Sequence, residues 1–301
     1  MKRMSTIIVL CGGTSSEREI SLRSGHTVAD ALQQAGHDVQ TLDTDCSDED
    51  LQQCDVVFPV LHGVGGEDGK TQARLESLQI CFVGSGSKSS HLCLDKSLYR
   101  STLSRAGFLL ADGATVQYED YTDSNLSKQP HVLKPIDGGS SVDTYIVRDM
   151  AAYNPAIPKQ YFDIYGSMIV EELIVGVEVT VGILGQEALP VIEIIPPQDE
   201  EFDYENKYNG KTQELIPAIH VSEKDQKAVQ ELALKIHELA GCRDFSRTDF
   251  IISDDGQYYL LETNTIPGMT SQSLFPKMAA AVGMDMAALC DRLIQMALER
   301  K

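Results

Sequence analysis

Positive charge is scarce in this chain: 25 lysines and arginines stand against 45 aspartates and glutamates, a formal net charge of −20 over 301 residues. That balance argues against nucleic acid or an anionic membrane as the main partner, because either demands a broad basic face. It leaves room for a local basic pocket that takes phosphates. No apolar run reaches the roughly 18 residues of a transmembrane helix. The opening stretch MKRMSTIIVLCGG breaks its short apolar run at Gly12-Gly13, so it reads as the start of a strand and not as a signal peptide. The seven cysteines are odd in number, scattered, and contain no C-x-x-C pair. They read as buried thiols of a cytoplasmic protein, which excludes a disulfide framework or a zinc site. The G-x-G-x-x-G of a nicotinamide dehydrogenase is missing after the first strand, and there is no internal repeat or low-complexity tract. What remains is ordinary soluble-protein composition, 42% hydrophobic and 23% charged, in a chain long enough for two or three domains.

Residues 5 to about 88 alternate strand and helix. Thr6 to Leu10 is an apolar strand, Ser16-x-x-Glu19 is a capping-box start to a helix running toward Gly36, and Val39 to Leu42 and Val56 to Leu61 are further strands. A helix around Gln72 to Leu78 and the short run Cys81-Phe82-Val83 follow. A βαβ series predicts a parallel sheet whose ligands sit beyond the carboxyl ends of its strands, where Gly12-Gly13, Glu17 and His62 fall. His62 is followed by Gly63, Gly65, Gly66 and Gly69 with Glu67-Asp68 among them, too glycine-rich and charged for core, so it reads as a ligand contact. The expected division is an N-terminal α/β substrate domain over 1–88, a central subdomain over 89–171 and a C-terminal subdomain over 172–301.

The central stretch carries a helix with Asp95-Lys96, then His131 to Pro135, Ile136-Asp137-Gly138-Gly139-Ser140-Ser141-Val142, and Asp143 to Val147. This reads strand, Gly-rich turn, strand. It lacks the G-K-[ST] ending and following helix of a P-loop. Its backbone N–H groups can still meet a phosphate, with Lys134 on the preceding strand supplying charge. The last stretch begins near Glu171 to Ile174 and continues through strands Val177 to Leu184 and Leu189 to Ile195. A polar segment over 198–214 with Lys207-Tyr208 reads as a lid loop, and helices near 222–240 and 285–299 follow.

One hairpin exposes chemistry directly. Asp255-Gly256 is a two-residue type I′ turn signal between two β-rich runs. Counting back from it puts Asp249 opposite Glu262 and Arg247 opposite Asn264, with all four side chains on one face. Two carboxylates directly across a sheet repel. A divalent cation between them turns that repulsion to use, and an all-oxygen Asp/Glu/Asn set suits Mg²⁺ or Mn²⁺ over Zn²⁺. Together with a Gly/Ser turn and lysine, this points to a nucleoside triphosphate. The alternative is a plain solvated strand face.

Five ordered motifs, from Gly12-Gly13-Thr14-Ser15-Ser16-Glu17 through His62-Gly63, Lys134-Pro135 with Gly139-Ser140-Ser141-Val142, and Arg247-x-Asp249 to Glu262-x-Asn264 with Pro267-Gly268-Met269-Thr270, closely resemble the D-alanine:D-alanine ligases of the ATP-grasp superfamily. The resemblance implies an α/β and α+β chain: an N-terminal parallel-sheet domain and two ATP-clasping subdomains. It implies ATP with its phosphates under the Gly138 to Val142 loop (Ser140 and Ser141 included) near Lys96, Lys134 and Lys207. It places adenine at Glu171, Glu172, Leu173 and Ile174, the ribose at Glu178, and two Mg²⁺ or Mn²⁺ ions on Asp249, Glu262 and Asn264. Glu17 would take the first D-alanine ammonium, with His62 near its carboxylate and Ser140 and Tyr208 bridging to the lid. Arg247 and the Gly268 N–H would form the oxyanion site, and Ser273 with the Leu274 backbone would hold the second carboxylate. It further implies peptidoglycan precursor synthesis by a cytoplasmic homodimer, with D-alanine and ATP as small-molecule partners. Lys207-Tyr208 is associated with an amine acceptor, favouring dipeptide over D-alanyl-D-lactate. The chain departs from the pattern at Asp143, where the family has Gly, and at Glu172, where Lys is common. Two other readings keep the ATP chemistry: a ligase for another small carboxylate and amine or D-lactate, and a non-catalytic ATP-binding protein.

Overall fold

Ile7, Ile8, Val9 and Leu10 are all buried, which a strand achieves only when both faces of its sheet are covered. They form β1 (Thr6–Leu10), central in a parallel sheet of order β2-β1-β3 with β2 (Asp38–Leu42) and β3 (Val56–Pro59). Phe82 adds a parallel bridge to Val57 at the far side. The computed structural model describes residues 4–139, 143–197 and 212–300. Ser140, Ser141, Lys207 and Tyr208 lie outside the described residues.

The capping box expected at Ser16 is not formed. The helix Arg18–Gln34 begins after Glu17, which occupies the N-cap without a side-chain cap bond. The reason is local: Ser15 Oγ accepts from the Glu17 N–H at 3.2 Å and donates to the His62 carbonyl at 2.7 Å, tying the loops after β1 and β3 together and turning Glu17 inward. Beside the same helix, and against β3, lies the helix Met286–Glu299. Its Leu289, Cys290, Leu293, Ile294 and Ala297 share one buried cluster with Ile7, Val9, Val28 and Leu32.

The middle of the chain builds an antiparallel sheet of order β4-β7-β5-β6 from β4 (Gly113–Gln117), β5 (His131–Pro135), β6 (Tyr145–Val147) and β7 (Ser167–Glu172). Tyr121, Leu133, Phe162, Met168 and Val170 form its core. Phe162 comes from a helix, Ala156–Tyr165, that sequence reading had not anticipated. Ahead of this sheet, helices Ser87–Leu94 and Lys96–Arg105 meet at Asp95, whose carboxylate accepts from the Leu98 N–H at 2.9 Å and starts the second helix. Cys93, Tyr99 and Leu103 of this pair pack against the third sheet, with Val179, Val181 and Phe250.

That third sheet runs β11-β10-β8-β12-β13, with β9 (Glu187–Ala188) also on β8. Its strands are β8 (Gly176–Leu184), β10 (Ile192–Ile195), β11 (Gln213–Leu215), β12 (Phe245–Ser253) and β13 (Tyr258–Asn264). The helix Glu223–Leu239 covers one face and starts at the Ser222 cap. Between β12 and β13 the expected two-residue turn is wrong. Ile252 pairs with Tyr258, and the Ser253 N–H donates to the Gln257 carbonyl at 3.0 Å, leaving the three-residue loop Asp254-Asp255-Gly256. Gly256 sits at φ +78°, the left-handed position such loops require. Farther along, Phe250 faces Leu260 while Asp249 faces Glu262, so Leu261 is the extra residue of a bulge. The bulge cancels the extra loop residue, and both expected pairs, Asp249 with Glu262 and Arg247 with Asn264, are formed.

Candidate active site

The faces of the second and third sheets enclose a cleft of about 710 Å³, floored by the 171–177 connection between β7 and β8. Val132, Lys134 and Ile146 line one wall, and Glu178, Ile194, Ile251 and Leu261 line the other. Alternation along each strand delivers these side chains. Glu171, Glu172, Leu173 and Ile174, the segment expected at adenine, line the cleft together with Glu178, Lys96 and Lys134. Glu172 turns back to the chain, accepting from the Asp112 N–H at 3.0 Å.

Lys96 heads its helix and donates from Nζ to the Gly138 carbonyl at 2.5 Å, at the entrance to the Gly/Ser turn. Lys134 Nζ lies 2.5 Å from Glu171 Oε2. Arg100 also pairs with Glu171, on its other oxygen. Sequence reading missed Arg100. Among the described residues, six carboxylates (Glu171, Glu172, Glu178, Glu193, Asp249, Glu262) line the cleft against three cations, Lys96, Lys134 and Arg148. A polyanionic ligand in such surroundings needs added positive charge.

Asp249 and Glu262 face each other on adjacent strands, and both line the cleft. Asp249 is buried and fully engaged: Arg247 grips both its oxygens, Thr180 Oγ1 donates to Oδ1 at 2.6 Å, and Asn264 Nδ2 is 3.4 Å from Oδ2. Among the described residues no group of three or more His, Cys, Asp or Glu side chains gathers as a metal cage. The donors here are two carboxylates and an amide oxygen. That partial set fits Mg²⁺ or Mn²⁺, which takes one or two carboxylates and completes its shell with phosphate oxygens and water.

Glu17 and His62 do not line the cleft and are both buried. A Cβ on Gly63 would fall 2.6 Å from Glu17 Oε2 and one on Gly139 would fall 3.0 Å from it, so Glu17 touches both the His62 turn and the start of the Gly/Ser turn. Burial, helped by the nearby Arg247 charge, lowers the His62 pKa to about 4, so its ring is neutral near pH 7. Burial first, then the charges of Glu17 and Glu262, pushes Glu67 up to about 8. Its carboxyl accepts from the Gly63 N–H at 2.8 Å.

Gly268 and Ser273 are close neighbours: a Cβ at 268 would lie 2.8 Å from Ser273 Oγ. Ser273 is the N-cap of the helix Leu274–Ala281 without capping it through its side chain. Its hydroxyl instead contacts Thr270 Oγ1 at 2.8 Å. The first N–H groups of that helix, Leu274 among them, suit a carboxylate.

Residues 108–295 match the family model described as D-ala D-ala ligase C-terminus, and residues 39–85 match D-ala D-ala ligase N-terminus. A D-alanine–D-alanine ligase of Sphingopyxis alaskensis is 40% identical over 306 residues, covering 97% of each chain. One of Aquifex aeolicus is 40% identical over 297 residues, covering 96% of this chain and 99% of its own. Among solved structures, the Bacillus anthracis D-alanine–D-alanine ligase complexed with ATP superposes with a TM-score of 0.83 at 30% identity, over 98% of each chain. The VanG D-Ala:D-Ser ligase of Enterococcus faecalis does so with a TM-score of 0.83 at 29% identity, over 98% of this chain and 100% of its own. Motifs, sheets and matches run together along nearly the whole length, and the chain belongs to the D-alanine–D-alanine ligase family.

Proposed function

We propose that this protein joins two D-alanines into D-alanyl-D-alanine with ATP, supplying a peptidoglycan precursor, and that it works as a cytoplasmic homodimer. No helix among its described residues is long and apolar enough to cross a membrane. The observation that carries it is the convergence of Lys96, Lys134, Glu171, Glu178, Asp249 and Glu262 on one cleft in a chain that matches such a ligase over 97% of its length.

ATP lies between the second and third sheets in this reading, with adenine at Glu171 to Ile174, the ribose at Glu178 and the phosphates at Lys96 and Lys134. Asp249, Glu262 and Asn264 would hold two Mg²⁺ or Mn²⁺ ions, which would supply the positive charge that a transferring phosphoryl group needs. Glu17 fixes the ammonium of the first D-alanine. His62, kept neutral by burial, orients the carboxylate by hydrogen bonding and not by charge. That carboxylate attacks the γ-phosphate and releases ADP, forming D-alanyl phosphate. The amine of the second D-alanine, its carboxylate on Ser273 and the Leu274 N–H, then attacks the carbonyl. Arg247 and the Gly268 N–H stabilise the oxyanion. The amine loses a proton and inorganic phosphate leaves. Ser140, Ser141, Lys207 and Tyr208 complete the reading as phosphate-loop and lid residues.

The test is phosphate release from ATP with Mg²⁺ and D-alanine, run beside L-alanine, D-alanine with D-lactate, and D-alanine with D-serine, with products identified by mass spectrometry. D-alanyl-D-alanine as the dominant product is expected. A mixed product in preference to it would move the acceptor assignment. ATP binding without any phosphate release would overturn the catalytic reading.

A further inference from the structure

Glu171 sits buried at the end of the cleft between two cations. Its Oε2 is 2.5 Å from Lys134 Nζ and its Oε1 takes Arg100 Nη1, while all three side chains are largely hidden from solvent. Arg100 is anchored a second time, Nη2 donating to the Ala111 carbonyl at 2.8 Å. The backbone leaves room for this arrangement: a Cβ on Gly113 would lie 2.8 Å from Glu171 Cγ and 3.0 Å from Arg100 Nη2. Lys96 and Arg100 stand one turn apart on the helix Lys96–Arg105, so one helix sends a lysine to the Gly138 carbonyl and an arginine to Glu171.

Lys134 therefore has two possible anions, Glu171 and an incoming triphosphate. If it turned to the phosphates with no other cation present, it would leave a buried, uncompensated carboxylate, which is strongly unfavourable. Glu171 would then hold the lysine back. Arg100 removes that conflict. Its guanidinium is permanently charged, and the Ala111 carbonyl fixes its plane against the carboxylate. We infer that Arg100 is a positioning residue that keeps Glu171 neutralised, so that Lys134 is released to the phosphates of the nucleotide. The inference rests on the proposed reading only in taking ATP as the ligand of this cleft.

Calorimetric titration of ATP into the full-length chain tests this, with Arg100→Met, Glu171→Gln, the double variant and Arg100→Lys compared with the unaltered protein. Arg100→Met raises the ATP Kd about tenfold, as expected when a charge-assisted contact is left uncompensated. In the Glu171→Gln background, where no carboxylate competes for Lys134, the same change alters the Kd by less than about twofold. Arg100→Lys, which keeps the charge, stays within about threefold of the unaltered chain and guards against a merely unfolded Arg100→Met. An equal Arg100→Met penalty in both backgrounds, or an Arg100→Lys as weak as Arg100→Met, overturns the inference. ATP binding without dipeptide synthesis would overturn the proposed function and leave this comparison intact, whereas absence of ATP binding by the unaltered chain overturns both.

Discussion

Arg247 and Asp249, two residues apart on one strand and on the same face, are locked together: Nε donates to Oδ1 at 3.0 Å and Nη2 to Oδ2 at 2.8 Å. The arginine assigned to the reacting carbonyl and a carboxylate assigned to the metal thus serve as each other's counterion. Arg247→Ala is expected to lower kcat about 100-fold or more, the scale of a lost oxyanion donor, with the Kd for ATP changing less than about threefold. Steady-state kinetics beside calorimetry checks this. Equal losses in both quantities would remove Arg247 from the oxyanion site.

Asp143 occupies a left-handed conformation, φ +55°, at the position where the family motif has glycine. Asp tolerates that region better than most residues. Its carboxylate accepts the Tyr165 hydroxyl of the helix Ala156–Tyr165. Burial, then this carboxylate, pushes Tyr165 up to about 12, so it remains a donor at neutral pH. Tyr165→Phe frees the negative charge beside the segment proposed to meet the phosphates and is expected to raise the KM for ATP about fivefold, the scale of one hydrogen bond. Adding Asp143→Gly should cancel the rise. A rise that persists in the double variant would show that Tyr165 acts elsewhere.

Gly63 combines φ +71° with a Cβ position 2.6 Å from Glu17 Oε2. Gly63→Ala imposes left-handed strain of roughly 1 kcal/mol and displaces the carboxylate. The expected outcome is a KM for the first D-alanine raised about tenfold or more, with the KM for ATP nearly unchanged. Two-substrate initial rates separate these, and parallel increases in both constants would contradict a role for Glu17 at the ammonium.

Glu67, pushed up to about 8, makes part of the stability pH-dependent. Below its ordinary value of 4.5 both folded and unfolded chains hold the proton, and the group costs the fold nothing. As pH rises from there to about 8 the unfolded chain releases its proton first, so stability falls across that window and levels off above it. Glu67→Gln removes this slope. Between pH 5 and 8, in chelator, the Tm of the unaltered chain should drop relative to the variant by roughly 3 °C or more. Parallel Tm profiles would show that Glu67 is ionised in the fold at neutral pH.

The facing pair Asp249 and Glu262 was legible because the strands alternate and the turn signal is strong. The expected register held there through two departures that cancel, a loop one residue longer than Asp255-Gly256 alone and a bulge at Leu261. Neither leaves a mark in the local pattern, since Gly256 serves both loop lengths. Arg100 was not legible, because its partner lies 71 residues on and only the antiparallel sheet brings it back. The contact of Glu17 with Gly139 is likewise a product of packing between separate layers. The helix Ala156–Tyr165 was missed because Ile157, Tyr161, Phe162, Ile164 and Tyr165 are indifferent helix formers. Packing of Phe162 against Tyr121 and Met168 decides it instead.

The helix Met286–Glu299 closes the core of the layer that contains β1. During synthesis, β1 must therefore wait for residues far later in the sequence, and such distant pairing is slow to form. Until then Val28, Leu32 and their neighbours lack their apolar cover, a vulnerable interval in which nascent chains gain most from a holding chaperone. Removing the helix Met286–Glu299 would accordingly damage the layer around β1 before it disturbed the cleft between the second and third sheets.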